Sequence, residues 1–210
     1  LALMKSLFLS LAAMTMLVAA PVLAQEQAIG EKAPMITAPL MGIDGKANTL
    51  LDLKGDNGLL VIFSCNTCPF VVGNGHKTEG WEGRYNGLAE LAESLNIGMV
   101  LVNSNEAKRE GDDSLPAMKS HAMEAGYTMP YVVDEGSKLA NACGARTTPH
   151  VYLYNSNLEL AYRGSIDDNV NRAEEVKERY LDMAMRRMAE GKKIKTTETK
   201  AVGCSIKRVR

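Results

Sequence analysis

The stretch Leu59-Leu60-Val61-Ile62-Phe63-Ser64-Cys65-Asn66-Thr67-Cys68-Pro69 decides how this chain is read. Five consecutive apolar residues have the length and composition of a strand buried on both faces. Two cysteines three positions apart follow at once, where the strand gives way to a helix whose first turn tolerates Pro69. If Cys65 begins that helix, Cys68 lies one turn further along the same face, close enough for the two sulfurs to bond without moving the backbone. The pair can then cycle between dithiol and disulfide. Unpaired N–H groups at the helix start favour the thiolate, so Cys65 is the expected nucleophile and Cys68, deeper in the helix, the expected resolving thiol.

Two other uses of this spacing compete with redox chemistry. A four-cysteine zinc site needs a second close pair, whereas Cys143 and Cys204 stand 61 residues apart with no ligand-type neighbours, and no metal site is expected. A purely structural disulfide closing so short a loop stabilises little, because its effect grows with loop length.

Outward from the cysteines, strands alternate with helices. Met99 to Asn103 is a second short apolar run, and Tyr85, Leu88, Ala92 and Leu95 recur between the two runs at helical spacing. Ser114 can cap a second helix running to about Ala125. Val151 to Tyr154 and Leu158 to Tyr162 flank Asn155-Ser156-Asn157 as a hairpin. Val176, Tyr180, Ala184 and Met188 mark one face of a closing helix that Gly191 ends. Gly73-Asn74-Gly75 breaks the active-site helix early, because glycine costs about 1 kcal/mol in a helix interior. Residues 73 to 83 then form a loop in which Trp81 is either a contact for a partner or an ordinary core residue.

The start of the chain has the marks of an export signal: Lys5, an apolar core from Leu7 to Ala20, Pro21, and small residues before a cut after Ala24. The apolar core is short for a bilayer span and Pro21 breaks it, so no stable membrane anchor is expected. The expected organisation is a signal peptide over 1–24, one domain over 25–192 and a basic tail over 193–210, in an exported, periplasmic protein. Removing the signal leaves 23 basic and 25 acidic residues, a balance that gives no reason to expect nucleic acid as a partner.

The element order, the CxxC after a central strand and Thr148-Pro149 just before the hairpin together resemble the thioredoxin fold. This implies an α/β protein with a central mixed sheet flanked by helices on both faces. Within that fold, the segment before the first core strand and the insertion before the hairpin look like the redoxin branch of the alkyl hydroperoxide reductase and thiol-specific antioxidant superfamily. The strings CNTCPF, ACGARTTPHVYLY, YRGSIDDN and VGCSIK look like exported bacterial proteins of that kind, over roughly residues 28 to 206. The resemblance implies a cis bond at Thr148-Pro149 and a substrate-binding role for Thr148 and Pro149. Ser64 stands where a tryptophan usually precedes the first cysteine, and Asn66-Thr67 replaces the familiar Gly-Pro, which leaves the reducing or oxidising direction open.

His150, directly after Pro149, either tunes the thiol pKa of Cys65 or points away from the site as strand residues alternate. Cys143 is expected to be a packed core thiol. Cys204, in the basic tail, can resolve an oxidised Cys65, pair with Cys143 or link two chains. His76 and His121 read as surface residues, and Asp167-Asp168 as helix-capping groups. Three functions follow: a thiol-disulfide oxidoreductase using Cys65 and Cys68, a peroxidase of peroxiredoxin type with antioxidant activity, or a copper carrier. The first fits best. A peroxidatic cysteine usually has a threonine three residues before it, where Cys65 has Ile62 and Cys68 has Cys65; copper carriers usually space their cysteines one residue wider. The partners implied are a disulfide-bearing protein or small-molecule thiol and an unidentified electron donor, with no bound cofactor.

Overall fold

The computed structural model describes residues 25–209, so the expected signal peptide over 1–24 lies outside the described residues. Along the chain come β1 (Leu40–Gly42), β2 (Ala47–Asn48), α1 (Leu50–Leu53), β3 (Gly58–Ser64), α2 (Pro69–Val72) and α3 (Tyr85–Ser94). They are followed by β4 (Ile97–Asn103), α4 (Leu115–Glu124), β5 (Tyr131–Val133), α5 (Lys138–Cys143), β6 (Thr147–Thr148) and β7 (His150–Asn155). The chain closes with β8 (Leu160–Gly164), α6 (Tyr180–Ala189) and β9 (Cys204–Ser205). Seven strands form one mixed sheet in the order β2-β1-β5-β4-β3-β7-β8, while β6 and β9 pair separately. β3 is parallel to β4 and antiparallel to β7, which places it in the interior of the sheet.

The sheet divides the core in two, because successive side chains of a strand point to opposite faces. Leu60, Ile62, Leu101, Val151 and Leu153 face one layer, covered by Tyr85 and Leu88 of α3, Met118 of α4 and Leu181 and Met185 of α6. Leu59, Val61, Phe63, Val100, Tyr152 and Tyr154 face the other, covered by Leu50 of α1 and Leu139 and Ala140 of α5. The fold is therefore the thioredoxin-like α/β arrangement that the element order predicts. Burial of each large aliphatic side chain contributes about 1.5–3 kcal/mol. This favours the six-residue β3–β7 ladder as the rigid part of the molecule.

Several boundaries differ from the sequence expectation. The helix after the cysteines starts at Pro69, not Cys65, and runs for only four residues. The closing helix starts at Tyr180, so Val176 lies outside it, and the second hairpin strand starts at Leu160 rather than Leu158. Asp167 and Asp168 do not cap that helix: Asp167 accepts hydrogen bonds from Trp81 Nε1 at 2.8 Å and from Arg84, while Asp168 accepts one from the Lys177 N–H at 3.0 Å. Trp81 is thereby a core residue, 2 % exposed. Ser114 caps α4 as expected, accepting from the Ala117 N–H.

His121 is not a free surface residue either. Its Nε2 meets Glu82 Oε1 at 2.5 Å, and Tyr127 donates its hydroxyl to the same carboxylate oxygen, tying α4 to the entrance of α3. The Glu82 bond and charge raise the His121 pKa, against the opposing effect of burial. The donors from His121 and Tyr127 hold the Glu82 carboxyl below its ordinary value, although burial opposes them. A raised imidazole stabilises the fold below its unfolded pKa and loses that contribution as pH rises through the folded value; a lowered carboxyl stabilises above its unfolded pKa. The destabilisation caused by His121→Gln, followed by urea unfolding, is therefore expected to be largest between about pH 4.5 and 6.5 and to shrink by pH 9.

Candidate redox site

The site begins where β3 ends. Ser64 is held there by a 3.0 Å hydrogen bond between its hydroxyl and that of Tyr85. Cys65, Asn66 and Thr67 are non-helical, and Cys68 is the extended residue that precedes α2 (φ −72°, ψ 126°). The Cys68 carbonyl accepts the N–H groups of Val71 and Val72, at 2.7 and 2.9 Å. A helix of one turn does not persist on its own. Fully buried Val71 anchors it, and Gly73 ends it at a φ of 79° that other residues rarely adopt. Both cysteines thus sit at the mouth of the helix, 2 % and 4 % exposed.

Thr148 connects them. Its hydroxyl lies 3.2 Å from Cys65 Sγ, and its carbonyl oxygen lies 3.1 Å from Cys68 Sγ. The Thr148-Pro149 bond is cis. On its other side Thr148 pairs in antiparallel register with Cys204, as Thr147 does with Ser205. A cavity of about 230 Å³ opens among Cys65, Cys68, Thr148, Cys204, Lys108 and Lys207.

The two thiols differ in acidity. The neighbouring Cys65 thiol, then the Cys204 thiol and the N–H groups of Cys204 and Phe70, lower the Cys68 pKa against the opposing effect of burial. The hydrogen bond to Cys68 raises the Cys65 pKa, burial adds to this, and the Asp113 carboxylate contributes in the same direction. The Thr148 carbonyl favours the protonated form of Cys68, but the donors converging on that sulfur outnumber it. Cys68 is thus the thiol shifted down and Cys65 the one shifted up. With α2 so short, the neighbouring thiols and a few individual N–H groups produce this rather than an extended helix dipole. Cys204 is pushed up to about 11 by burial and by the neighbouring Cys68.

A network that sequence reasoning missed fixes the loop between the cysteines. Asp113, fully buried, accepts from the Asn66 N–H at 3.0 Å, from Asn103 Nδ2 at 2.7 Å and from Asn105 Nδ2 at 2.9 Å. Tyr131 donates its hydroxyl to Asn66 Oδ1 at 2.9 Å. The available signal was the cluster of Asn103, Ser104 and Asn105 at the exit of an apolar strand, where polar side chains have no packing role.

The remaining candidates separate by position. His150 lies on the far face from the thiols, its ring 4.8 Å from that of Tyr152, while its neighbour Val151 faces the cysteine layer. Strand alternation aims it away. Burial, with Arg163 and Arg146 nearby, lowers its pKa to about 3, so the ring is neutral and does not tune Cys65. Cys143 is buried in that same far layer, 3.6 Å from the Tyr154 hydroxyl, and this separates it from Cys204. His76 is exposed. Cys204 is the one auxiliary candidate that the fold brings to the CxxC.

A family model described as Redoxin matches residues 28–178. Two solved structures are similar over most of their length. One, described as an uncharacterized conserved protein from Geobacillus kaustophilus, is 31% identical with a TM-score of 0.75, covering 87% of this chain and 93% of its own. The other, a hypothetical protein from Sinorhizobium meliloti 1021, is 28% identical with a TM-score of 0.77, covering 88% and 97%. A putative protein disulfide isomerase from Bacteroides thetaiotaomicron, 16% identical with a TM-score of 0.56, covers 78% of this chain and 91% of its own and shares the fold. No curated protein matches.

Removing the Asp113 carboxylate leaves the Asn66 N–H and one N–H of each of the Asn103 and Asn105 amides without their acceptor. Asp113→Ala is expected to lower the unfolding free energy by at least about 1–3 kcal/mol, the cost of unpaired buried donors, as read by urea titration. The variant is also expected to shift the Cys65/Cys68 reduction potential, since the loop that positions both sulfurs is released.

Proposed function

The chain belongs to the Redoxin family, and from that premise we propose that it is a thiol-disulfide oxidoreductase whose redox couple is Cys65 and Cys68. The observation that carries this reading is the arrangement of both sulfurs on a single residue, Thr148, beside a cis Thr148-Pro149 bond, with the two thiols shifted in opposite directions. The asymmetry is what exchange requires. One thiol is ionised to attack, and its neighbour keeps a proton and waits.

The lowered Cys68 pKa supports a division of roles opposite to the one suggested by the sequence. Ionised Cys68 attacks a substrate disulfide; one Cys68–substrate bond forms, the substrate S–S bond breaks, and the departing sulfur takes up a proton. Cys65 then gives up its proton and attacks Cys68 Sγ, releasing the second substrate sulfur and leaving a Cys65–Cys68 disulfide. An external thiol donor returns the couple to the dithiol, and the same steps in reverse oxidise a substrate dithiol. The substrate class is a protein disulfide or a small-molecule thiol or disulfide. Export to the periplasm, supported by the leader sequence, would place the protein where disulfides persist.

Insulin reduction driven by dithiothreitol tests this. The wild-type chain is expected to accelerate precipitation, and Cys68→Ser and Cys65→Ser to fall to the rate of dithiothreitol alone. Rapid alkylation at pH 7 is expected to survive Cys65→Ser and to vanish in Cys68→Ser. A chain that leaves insulin untouched yet consumes hydrogen peroxide in an NADPH-coupled assay would overturn the proposal in favour of a peroxidase.

A further inference from the structure

Residues 202 to 208 form a strap across the mouth of the site, and its attachments are specific. Gly203 passes so close to Thr148 that a Cβ would lie 2.3 Å from the Thr148 carbonyl oxygen. β9 then pairs with β6, Ile206 N–H donates to Arg146 O at 2.9 Å, and Lys207 N–H donates to Asn105 Oδ1 at 2.8 Å. The Lys207 carbonyl accepts from Ala107 N–H at 2.8 Å, and Arg208 donates to Ala145 O and Asn141 Oδ1, both at 2.6 Å. Ile206, 5 % exposed, anchors the strap in the layer opposite the cysteines, whereas Val202 and Cys204 pack against the cysteine layer. Such a set of main-chain bonds is how an extended polypeptide adds itself to an open strand edge. Here the edge of Thr147 and Thr148 is already taken by the chain's own C-terminal segment.

We propose that the strap is an intramolecular occupant of the edge that an extended polypeptide substrate would use, and that Cys204 is a third redox thiol which captures Cys68 and locks the strap in place. The proposal rests on the exchange reading above and extends it. The register sets Cys204 opposite Thr148, whose carbonyl touches Cys68 Sγ, and all three cysteines line one cavity. The Cys204 thiol also faces Cys68 directly. Two routes reach the locked state. In one, Cys204 attacks Cys68 Sγ in a mixed disulfide with substrate: the Cys68–Cys204 bond forms, the Cys68–substrate bond breaks, and the substrate thiolate takes up the proton that Cys204 lost. In the other, Cys204 attacks Cys68 Sγ in the Cys65–Cys68 disulfide and Cys65 leaves with the proton. This second route involves no net oxidation. Two electrons and two protons from an external dithiol reopen the strap.

Disulfide mapping of the full chain tests this. Cys65→Ser is treated with oxidised glutathione, which first forms a mixed disulfide on Cys68. The expected product is a Cys68–Cys204 linkage with Cys143 still free after unfolding. Cys68 retained as a glutathione adduct, or linked between two chains, with Cys204 alkylatable, would overturn the proposal. If Cys65→Ser does not fold, the wild-type chain equilibrated in glutathione buffers provides the same readout: a Cys68–Cys204 peptide supports the lock, and Cys65–Cys68 alone at every ratio of reduced to oxidised glutathione overturns it. Gly203→Ala separates docking from thiol chemistry. The added methyl pushes the strap off Thr148, so alkylation of Cys68 in the folded protein is expected to rise about tenfold, as follows from weakening the docking by about 1.4 kcal/mol. No change in that rate would overturn the occupancy. Insulin turnover is scored separately, so a chain that forms Cys68–Cys204 but turns over no insulin refutes the oxidoreductase reading alone, and the reverse result refutes the lock alone.

Discussion

Thr148 is the residue on which the geometry of the site depends. Its hydroxyl and carbonyl each reach a different cysteine, and its main chain pairs with the strap. It can do this because only Pro149 separates it from β7, whose six paired residues against β3 set the height of Thr148 relative to the end of β3, with Phe63 opposite His150. A slip of one residue in that ladder would turn every β7 side chain to the other layer and carry Thr148 away from the sulfurs. The packing of two hydrophobic layers onto one sheet is therefore what holds the redox chemistry in register.

Within that frame, local donors decide which sulfur carries charge. A dipole argument would place the thiolate on the first cysteine, but the helix begins after the second, and one turn supports little macrodipole. Cys68 is lowered by the neighbouring thiols and by the N–H groups of Phe70 and Cys204, while Cys65, despite the Thr148 hydroxyl and the Thr67 N–H, is raised by Cys68, by burial and by the Asp113 charge. The same buried carboxylate that orders the loop through Asn66, Asn103 and Asn105 also discourages a second negative charge beside it.

The central part of the sheet was legible in the sequence because it follows periodicity: β3, β4, α3, α4 and the hairpin announce themselves as apolar runs, alternation or helical patterns, whereas β1, β2, β5, α1 and α5, of two to six residues each, are too short to show a period. What stayed hidden depends on neighbours remote in sequence. The start of α2 was misplaced because Pro69 is compatible with several positions in a first turn, and only packing of Val71 selects one. His150 was an even choice between two faces until the pairing with Phe63 fixed its side. The Asp113 network joins residues from three separate segments, and no spacing rule links Asn66 to Asp113. Cys204 stood in a stretch without pattern, since β9 has two residues and exists only through Thr147 and Thr148.

The strap also bears on what can reach the sulfurs. With it docked, the opening is a cavity of about 230 Å³, below the range of about 300–1,000 Å³ that drug-sized ligands occupy. A small thiol can enter such a space, but an extended polypeptide also needs the Thr148 edge, which β9 fills. Because the strap is part of the same chain, it competes at an effective concentration that short tethers raise to about the millimolar range. A free polypeptide below that level gains the edge only when the strap lifts, and an oxidised strap does not lift. Under the proposed lock, occupancy by β9 would separate two substrate classes at one redox couple: small thiols would exchange through the closed site, and proteins only while Cys204 is reduced and its strand has left Thr148.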